Sequence, residues 1–515
     1  MSALDPRTPV LVGVGQASEH VGSADYRGLS AAELGARAAS AAVADAGAGR
    51  ASVAAAIDTV AGIRQFEMSM PGVSSLGRSN NFPRSVATRI GAAPTRAILE
   101  VVGGQGPQSL VTELAEAIAH GRSEIALAVG AEAISTARHL ADAPDRPDFS
   151  ETVDGDLEDR GHGLGGMLSR PAIEHHLTDA ASQYAVLEHA RRAGLGRSRA
   201  EHVAAMGRLF APFTEVAARN PHAAARTVRT AAELARPSAR NRPIADPYLR
   251  YLVARDQVNQ AAAVIVMSVA AARRLGVPAE QWVFLHGHSD LHEQGMLARA
   301  DLGSAPAAVT AARHALEMAR IGPADLATID LYSCFPVAVS VIAEGLGLAA
   351  DDPRGLTVTG GLPFFGGAGN NYSMHAIAET AVRCRAHPGS YGFVGANGGI
   401  LSKYSAGVYS TTPVPWRVSD DAVLQQRIDA TPAVPVRERA DGTVTVETYT
   451  VRHARDGDRT GIVVGRLDGD GERVVAIGGD GEFADRLTDE DPLGTRVRVR
   501  ATPEGNRATF GPGPR

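Results

Sequence analysis

The stretch Ala97-Ile-Leu-Glu-Val-Val-Gly-Gly-Gln-Gly-Pro-Gln-Ser-Leu-Val111 decides how the rest of the chain is parsed. A short apolar run leads into Gly103-Gly-Gln-Gly106, and Pro107 then opens a segment of apolar residues at helical spacing. Glycines before a helix and proline just inside its start make this a strand, a tight turn and a helix N-terminus. The helix runs on through Thr112 to Gly121, and a second strand follows over Glu124 to Gly130, ending in Ala131-Glu-Ala133. Upstream, Pro9-Val-Leu-Val-Gly-Val-Gly15 is a buried strand. Ala31 to Ala46 is a helix stopped by Gly47 and Gly49, and Ala56 to Ile63 is another strand.

The second half repeats this order. Pro306 to Arg320 is helical, Leu326 to Phe335 is strand and turn, and Val337 to Leu346 is helical. Asn370 to Arg385 forms a helix, and Tyr391-Gly-Phe-Val-Gly-Ala-Asn-Gly-Gly399 is a strand entering a glycine turn. The parallel is sharpest between Ala31–Ile63 and Ala307–Ser333, each an alanine-rich helix, a linker and a strand carrying Ile-Asp (Ile57-Asp58, Ile329-Asp330). Two similar α/β halves follow from this alone.

Size and composition narrow the function. The 515 residues are too many for one simple domain, and 44% apolar content suffices for large cores. A net charge of −6 gives no basic footprint for nucleic acid. There is no apolar run of about 18 residues to span a membrane and no signal-peptide core at the N-terminus, so a soluble cytoplasmic protein is expected. Two cysteines, Cys334 and Cys384, form no disulfide framework, and no Cys/His spacing suggests a metal site.

The strand, glycine turn and buried helix around Val102-Gly103-Gly104-Gln105-Gly106-Pro107-Gln108 resemble the thiolase superfamily, whose motif there is roughly Val-Cys-Ala-Ser-Gly-x-Gln. More narrowly, the chain resembles type-1 thiolase-like proteins (acetyl-CoA acetyltransferase-like) with an additional C-terminal domain. The resemblance implies a duplicated five-layered α/β fold plus a small OB-like β-barrel. Residues 1–265 would be the first thiolase half, with a helical insertion at 136–255. Residues 266–415 would be the second half, and 430–515 the β-rich domain. In that last region Thr443–Val451, Gly461–Leu467, Arg473–Ile477 and Thr495–Arg500 alternate as short strands. The acidic runs Asp468-Gly-Asp-Gly-Glu472 and Thr488-Asp-Glu-Asp491 argue against nucleic acid on that barrel.

Thiolase chemistry needs a thiolate to carry the acyl group, bases near neutral pH and donors for the enolate oxygen. By the resemblance, Gly103 stands at the acyl-accepting cysteine and Gly395 at the second cysteine. Gly367 stands at the histidine of the Gly-His-Pro turn, and Tyr332, in Tyr332-Ser-Cys-Phe335, at the oxyanion His or Asn. All four side chains depart from the family set, so a cysteine ping-pong route is not expected. Gly103 and Gly395 remain candidates as backbone oxyanion donors, and Tyr332 as a hydrogen-bond donor or base. Cys334 and Cys384 are expected as packing residues. His375 either faces the pocket left by the missing histidine or packs its helix, and both readings stay open. In the insertion, Gly161-His-Gly-Leu-Gly-Gly166 and Ile173-Glu-His-His176 are expected at surface or packing positions. Arg240 and Arg242 are candidates for coenzyme A phosphates, because guanidinium forks onto phosphate.

Two other motifs fail. Gly13-Val-Gly15 lacks the third glycine and spaced acid of a dinucleotide fingerprint, and Gly72-Val-Ser-Ser-Leu-Gly77 is not Gly-x-Ser-x-Gly. The expected ligand is a coenzyme A thioester, with no covalently bound cofactor, as a monomer or dimer. One reading is an acyl-CoA protein of lipid metabolism with tyrosine-assisted C–C cleavage or acyl transfer. The others are a non-catalytic acyl-CoA or lipid carrier, and a scaffold recruiting a protein partner through the C-terminal domain.

Overall fold

The structure, a computed structural model, describes residues 4–69, 76–163 and 168–511. Its strands run in chain order as β1 Pro9–Ser18, β2 Thr59–Gly62, β3 Arg96–Leu99, β4 Ile125–Ala133 and β5 Glu158–Asp159. β6 Pro243–Ala245, β7 Tyr248–Leu249, β8 Asn259–Ser268, β9 Phe284–His292 and β10 Leu326–Leu331 follow. The last seven are β11 Tyr391–Gly398, β12 Lys403–Ser410, β13 Gly442–His453, β14 Arg459–Leu467, β15 Arg473–Gly478, β16 Arg496–Thr502 and β17 Gly505–Phe510.

The internal repeat is visible in strand order. The first sheet runs β1-β8-β4-β2-β3-β5 and the second β9-β12-β11-β10, so both share one order of equivalent strands. Between the sheets lie the helices Gly106–Ala119 and Tyr372–Ala386. Leu110, Leu114 and Ile118 from one pack with Met374, Ile377 and Ala381 from the other against inward residues of both sheets. The alanine-rich helices Ala31–Asp45 and Pro306–Ala319 cover the outer faces. Their small side chains allow close approach: a Cβ at Gly13 would lie 3.1 Å from the Ala42 carbonyl carbon, and one at Gly287 2.9 Å from that of Ala315. This is the expected mixed α/β layering. The first half closes with β8 at Ser268 rather than at 265, since β8 pairs with both β1 and β4.

β5 comes from the insertion and lies against the outer edge of β3, held by Arg64–Asp159 and Arg96–Glu158 ion pairs. A sheet edge that would otherwise present open hydrogen-bonding groups is thereby covered.

The C-terminal strands close a five-stranded barrel. β13 pairs with β14, β14 with β15, β15 in parallel with β17, β17 with β16, and β16 back with β13. The helix Gly481–Asp489 links β15 to β16 along the chain and buries Phe483, Ala484 and Leu487 in the barrel core. Neither that helix nor β17 stands out in the sequence. The barrel does not stand apart: β13 also pairs with β6, so its sheet runs on into the insertion. Buried Arg192 reaches Asp491, and buried Arg473 donates to the carbonyls of Leu297 and Arg299 and to Glu447. His175 of the insertion accepts the Asn506 N–H at its Nε2 (2.7 Å), a packing role.

Candidate active site and an arginine-lined groove

The turn after β3 shapes the site. Gly103 has φ +142, a conformation L side chains rarely adopt, and its N–H donates to Asn370 Oδ1 at 3.0 Å. That N–H is therefore committed within the protein, which corrects its expected role as an oxyanion donor. Gly104 leaves room for Tyr332: a Cβ there would lie 2.6 Å from Tyr332 Cε2. The helix then begins at Gly106, with Pro107 at its first turn.

Around this turn lies a cleft of about 360 Å³. Its walls carry Tyr184, Tyr332, Cys334, Phe335, Asn370 and Asn397, with Gly103, Gly104 and Gly367 on the backbone side. Tyr332 packs edge-on to Tyr372, with ring centroids 5.3 Å apart, and its hydroxyl has no protein hydrogen-bond partner among the described residues. Burial, with Cys334 beside it, pushes the Tyr332 phenol well above its ordinary pKa. It is thus a neutral donor at physiological pH rather than a base. Burial likewise pushes the Cys334 thiol up to about 12, against hydrogen bonds from Tyr184 and Asn397, so this wall holds no thiolate.

Two expected site residues lie elsewhere. Gly395 sits inside β11, between Leu331 of β10 and Ala406 of β12, and does not line the cleft. Its backbone belongs to the sheet ladder, so the expected oxyanion role is corrected there too; Asn397 and Gly398, farther along the strand, reach the cleft. His375 is buried and faces β1. Its Nδ1 lies 2.7 Å from Gln16 Oε1, and its ring packs edge-on to Phe365. Burial, and then His222, hold it well below the usual imidazole pKa. Of its two readings, the packing one matches this geometry. Gly367 does line the cleft, with its N–H donated to the Arg255 carbonyl at 2.7 Å. Residues 72–75 and 164–166 of the two glycine-containing motifs lie outside the described residues.

Val253, Ala254 and Asp256 also border a second groove, of about 620 Å³. Six arginines line it: Arg229, Arg240, Arg242, Arg250, Arg255 and Arg455. None of them is ion-paired to a carboxylate among the described residues, while the groove's one acid, Asp256, is taken by Arg138 at 2.8 Å. Arg229 lies over the Tyr251 ring, 4.0 Å from its centroid. Burial, and then Arg250, depress the pKa of Arg255. In a chain of net charge −6, this is a concentrated positive site. Arg240 and Arg242 are brought together as expected. The other four, and Asn370, Asn397 and Tyr184 in the cleft, were not singled out by sequence; Asn397 beside Gly398-Gly399 was the one available signal. No cluster of His, Cys, Asp and Glu able to hold a metal occurs among the described residues, nor does a helix long and apolar enough to cross a membrane.

Residues 423–504 match the family described as thiolase-like protein type 1 additional C-terminal domain. The whole chain is similar to the monomeric SCP2-thiolase-like protein type 1 from Mycobacterium smegmatis, at 48% identity and TM-score 0.86, covering 99% of this chain and 100% of that one. The chain belongs to the SCP2-thiolase-like proteins of type 1. Its fold is also shared with the Ltp2-ChsH2(DUF35) aldolase, at 20% identity and TM-score 0.56, covering 79% of this chain and 98% of that one. It is shared again with the acetyl-CoA acetyltransferase from Syntrophomonas wolfei, at 15% identity and TM-score 0.53, covering 79% and 99%. No curated protein matches the chain.

Proposed function

We propose that this chain binds an acyl-CoA thioester in lipid metabolism, with the phosphates in the arginine groove and the thioester in the adjoining cleft. What carries this reading is the adjacency of the two spaces: a groove of six arginines, none ion-paired to a carboxylate among the described residues, shares Val253 and Ala254 with an apolar cleft. Guanidinium forks suit phosphate oxygens, and an apolar cleft suits an acyl chain. Tyr332 then donates to the thioester carbonyl as a neutral phenol. An acyl-enzyme has no support, because Gly103 offers no side chain and the Cys334 thiol stays protonated. Tyrosine-assisted C–C cleavage would require Tyr332 to take a proton, and its raised pKa disfavours that role.

Calorimetric titration with CoA and acetyl-CoA tests this. Arg255→Ala and Arg240→Ala are each expected to weaken CoA binding about tenfold and to flatten its salt dependence. Tyr332→Phe is expected to weaken acetyl-CoA relative to free CoA, which has no carbonyl at that point. Absence of CoA binding, or unchanged affinity in both arginine variants, would sink the proposal.

A further inference from the structure

We infer that a hollow beside the arginine groove reads the 3′-phosphate of coenzyme A, so that the chain distinguishes CoA from dephospho-CoA; this rests on the acyl-CoA reading above. The hollow, of about 370 Å³, shares Arg229, Arg240 and Tyr251 with the groove and adds Arg236, Glu233 and Ser238 to its walls. It has no lining residue in common with the cleft among the described residues, whereas the groove borders both. Three spaces thus follow one another: an apolar cleft, then two that carry arginines. A CoA thioester has the same order, with an acyl-pantetheine arm, a pyrophosphate and a ribose bearing a phosphate monoester. The pyrophosphate and the 3′-phosphate sit one ribose apart, and two adjoining spaces that share Arg229 and Arg240 suit such a pair of anions.

A phosphate monoester carries about −1.5 to −2 charges at neutral pH, which makes it the most anionic group of the ligand. In the hollow three arginines stand against one acid, Glu233. That acid is engaged in a helix cap, where its Oε2 accepts the Thr230 N–H at 2.7 Å and the Thr230 hydroxyl at 2.9 Å. Arg236 and Arg240 are exposed, and neither guanidinium has a hydrogen-bonded or ion-paired partner among the described residues. The loop that carries them has a fixed shape. Fully buried Asn241 donates from Nδ2 to the carbonyls of Glu233, Leu234 and Arg236, each at 3.1 Å. Its Oδ1 accepts the Tyr251 N–H at 2.8 Å, and its own N–H donates to Ser238 Oγ at 3.1 Å. One buried amide therefore ties the loop to the turn carrying Tyr251, over whose ring Arg229 lies. Exposed arginines on a free loop are ordinary solvated surface, but a loop held by a satisfied buried amide loses little entropy when an anion binds.

The test is calorimetric titration of the full chain with CoA and with dephospho-CoA at two salt concentrations. CoA is expected to bind roughly tenfold more tightly and to lose affinity more steeply as salt rises. Arg236 lines the hollow and not the groove, so Arg236→Ala touches one anion only. That variant is expected to bind CoA roughly five- to tenfold more weakly and dephospho-CoA within about twofold of wild type. Equal affinity of wild type for the two ligands overturns the inference, and so does a preference for CoA that Arg236→Ala leaves untouched. In both cases CoA still binds and the acyl-CoA reading stands. If neither ligand binds, that reading falls and this inference with it. The wild-type comparison needs no variant, so a misfolded Arg236→Ala protein would not shield it.

Discussion

Restoring the thiol with Gly103→Cys should destabilise the protein without making it a thiolase. The φ of +142 at this position costs an L residue about 1–3 kcal/mol. The new Cβ would also overlap the buried Gln105 side chain, lying 2.9 Å from its amide carbon, and such overpacking costs about 1–3 kcal/mol more. Loss of glycine's freedom in the unfolded chain works the other way, by about 0.4–1 kcal/mol. The strain therefore wins, and a net loss of about 1–5 kcal/mol is expected, a large share of a typical total of about 5–15 kcal/mol. Chemically, the thiol would enter a cleft where burial already holds Cys334 protonated and where no imidazole lines the wall among the described residues. Urea unfolding followed by circular dichroism gives the stability change. Incubation with acetyl-CoA and intact-mass spectrometry gives the chemistry. A variant within about 0.5 kcal/mol of wild type, or one whose introduced thiol becomes acetylated, would refute the reasoning.

Two further outcomes follow from charges elsewhere. Asp491→Ala should cost about 1–3 kcal/mol, because it strips the ion pair from buried Arg192 although Asp491 itself is partly exposed; a urea midpoint equal to wild type would argue against barrel docking through this pair. Asp290, enclosed by Ser405 and Asp421, has its pKa raised to about 7, by burial first and by Asp421 in support. A folded pKa above the unfolded value of about 4 gives stability that is full below that pH and lost as pH rises through about 7. Asp290→Asn should therefore flatten the fall in urea midpoint between about pH 4 and 7, and an unchanged slope would exclude Asp290 as its source.

The layers were legible because their elements are short, periodic and bounded by glycine and proline, as at Gly103–Pro107. The site was legible only in part. His375 was ambiguous because the first two turns of its helix, from Tyr372 to Ala378, are buried on every side, so no polar face gives the helix a phase. Gly395 and Asn397 lie two residues apart on one strand, and a rise of roughly 3.3 Å per residue carries the cleft-lining position about 7 Å farther along β11. The groove was hidden because its arginines are scattered from Arg229 to Arg455 and converge only through tertiary structure. β17 lacks the apolar alternation of its neighbours, and the helix Gly481–Asp489 carries only Phe483, Ala484 and Leu487 inward.

The pairing of β13 with β6, and the presence of Arg455 in the groove, bear on biosynthesis. As the chain leaves the ribosome, β6 emerges some two hundred residues before the strand that completes its sheet. Arg192 must likewise wait for Asp491. The anion-binding end of the proposed ligand site is thus assembled from the insertion and from a segment made much later. Ligand captured there would stabilise only chains whose synthesis has run into the barrel, making occupancy a check on completeness.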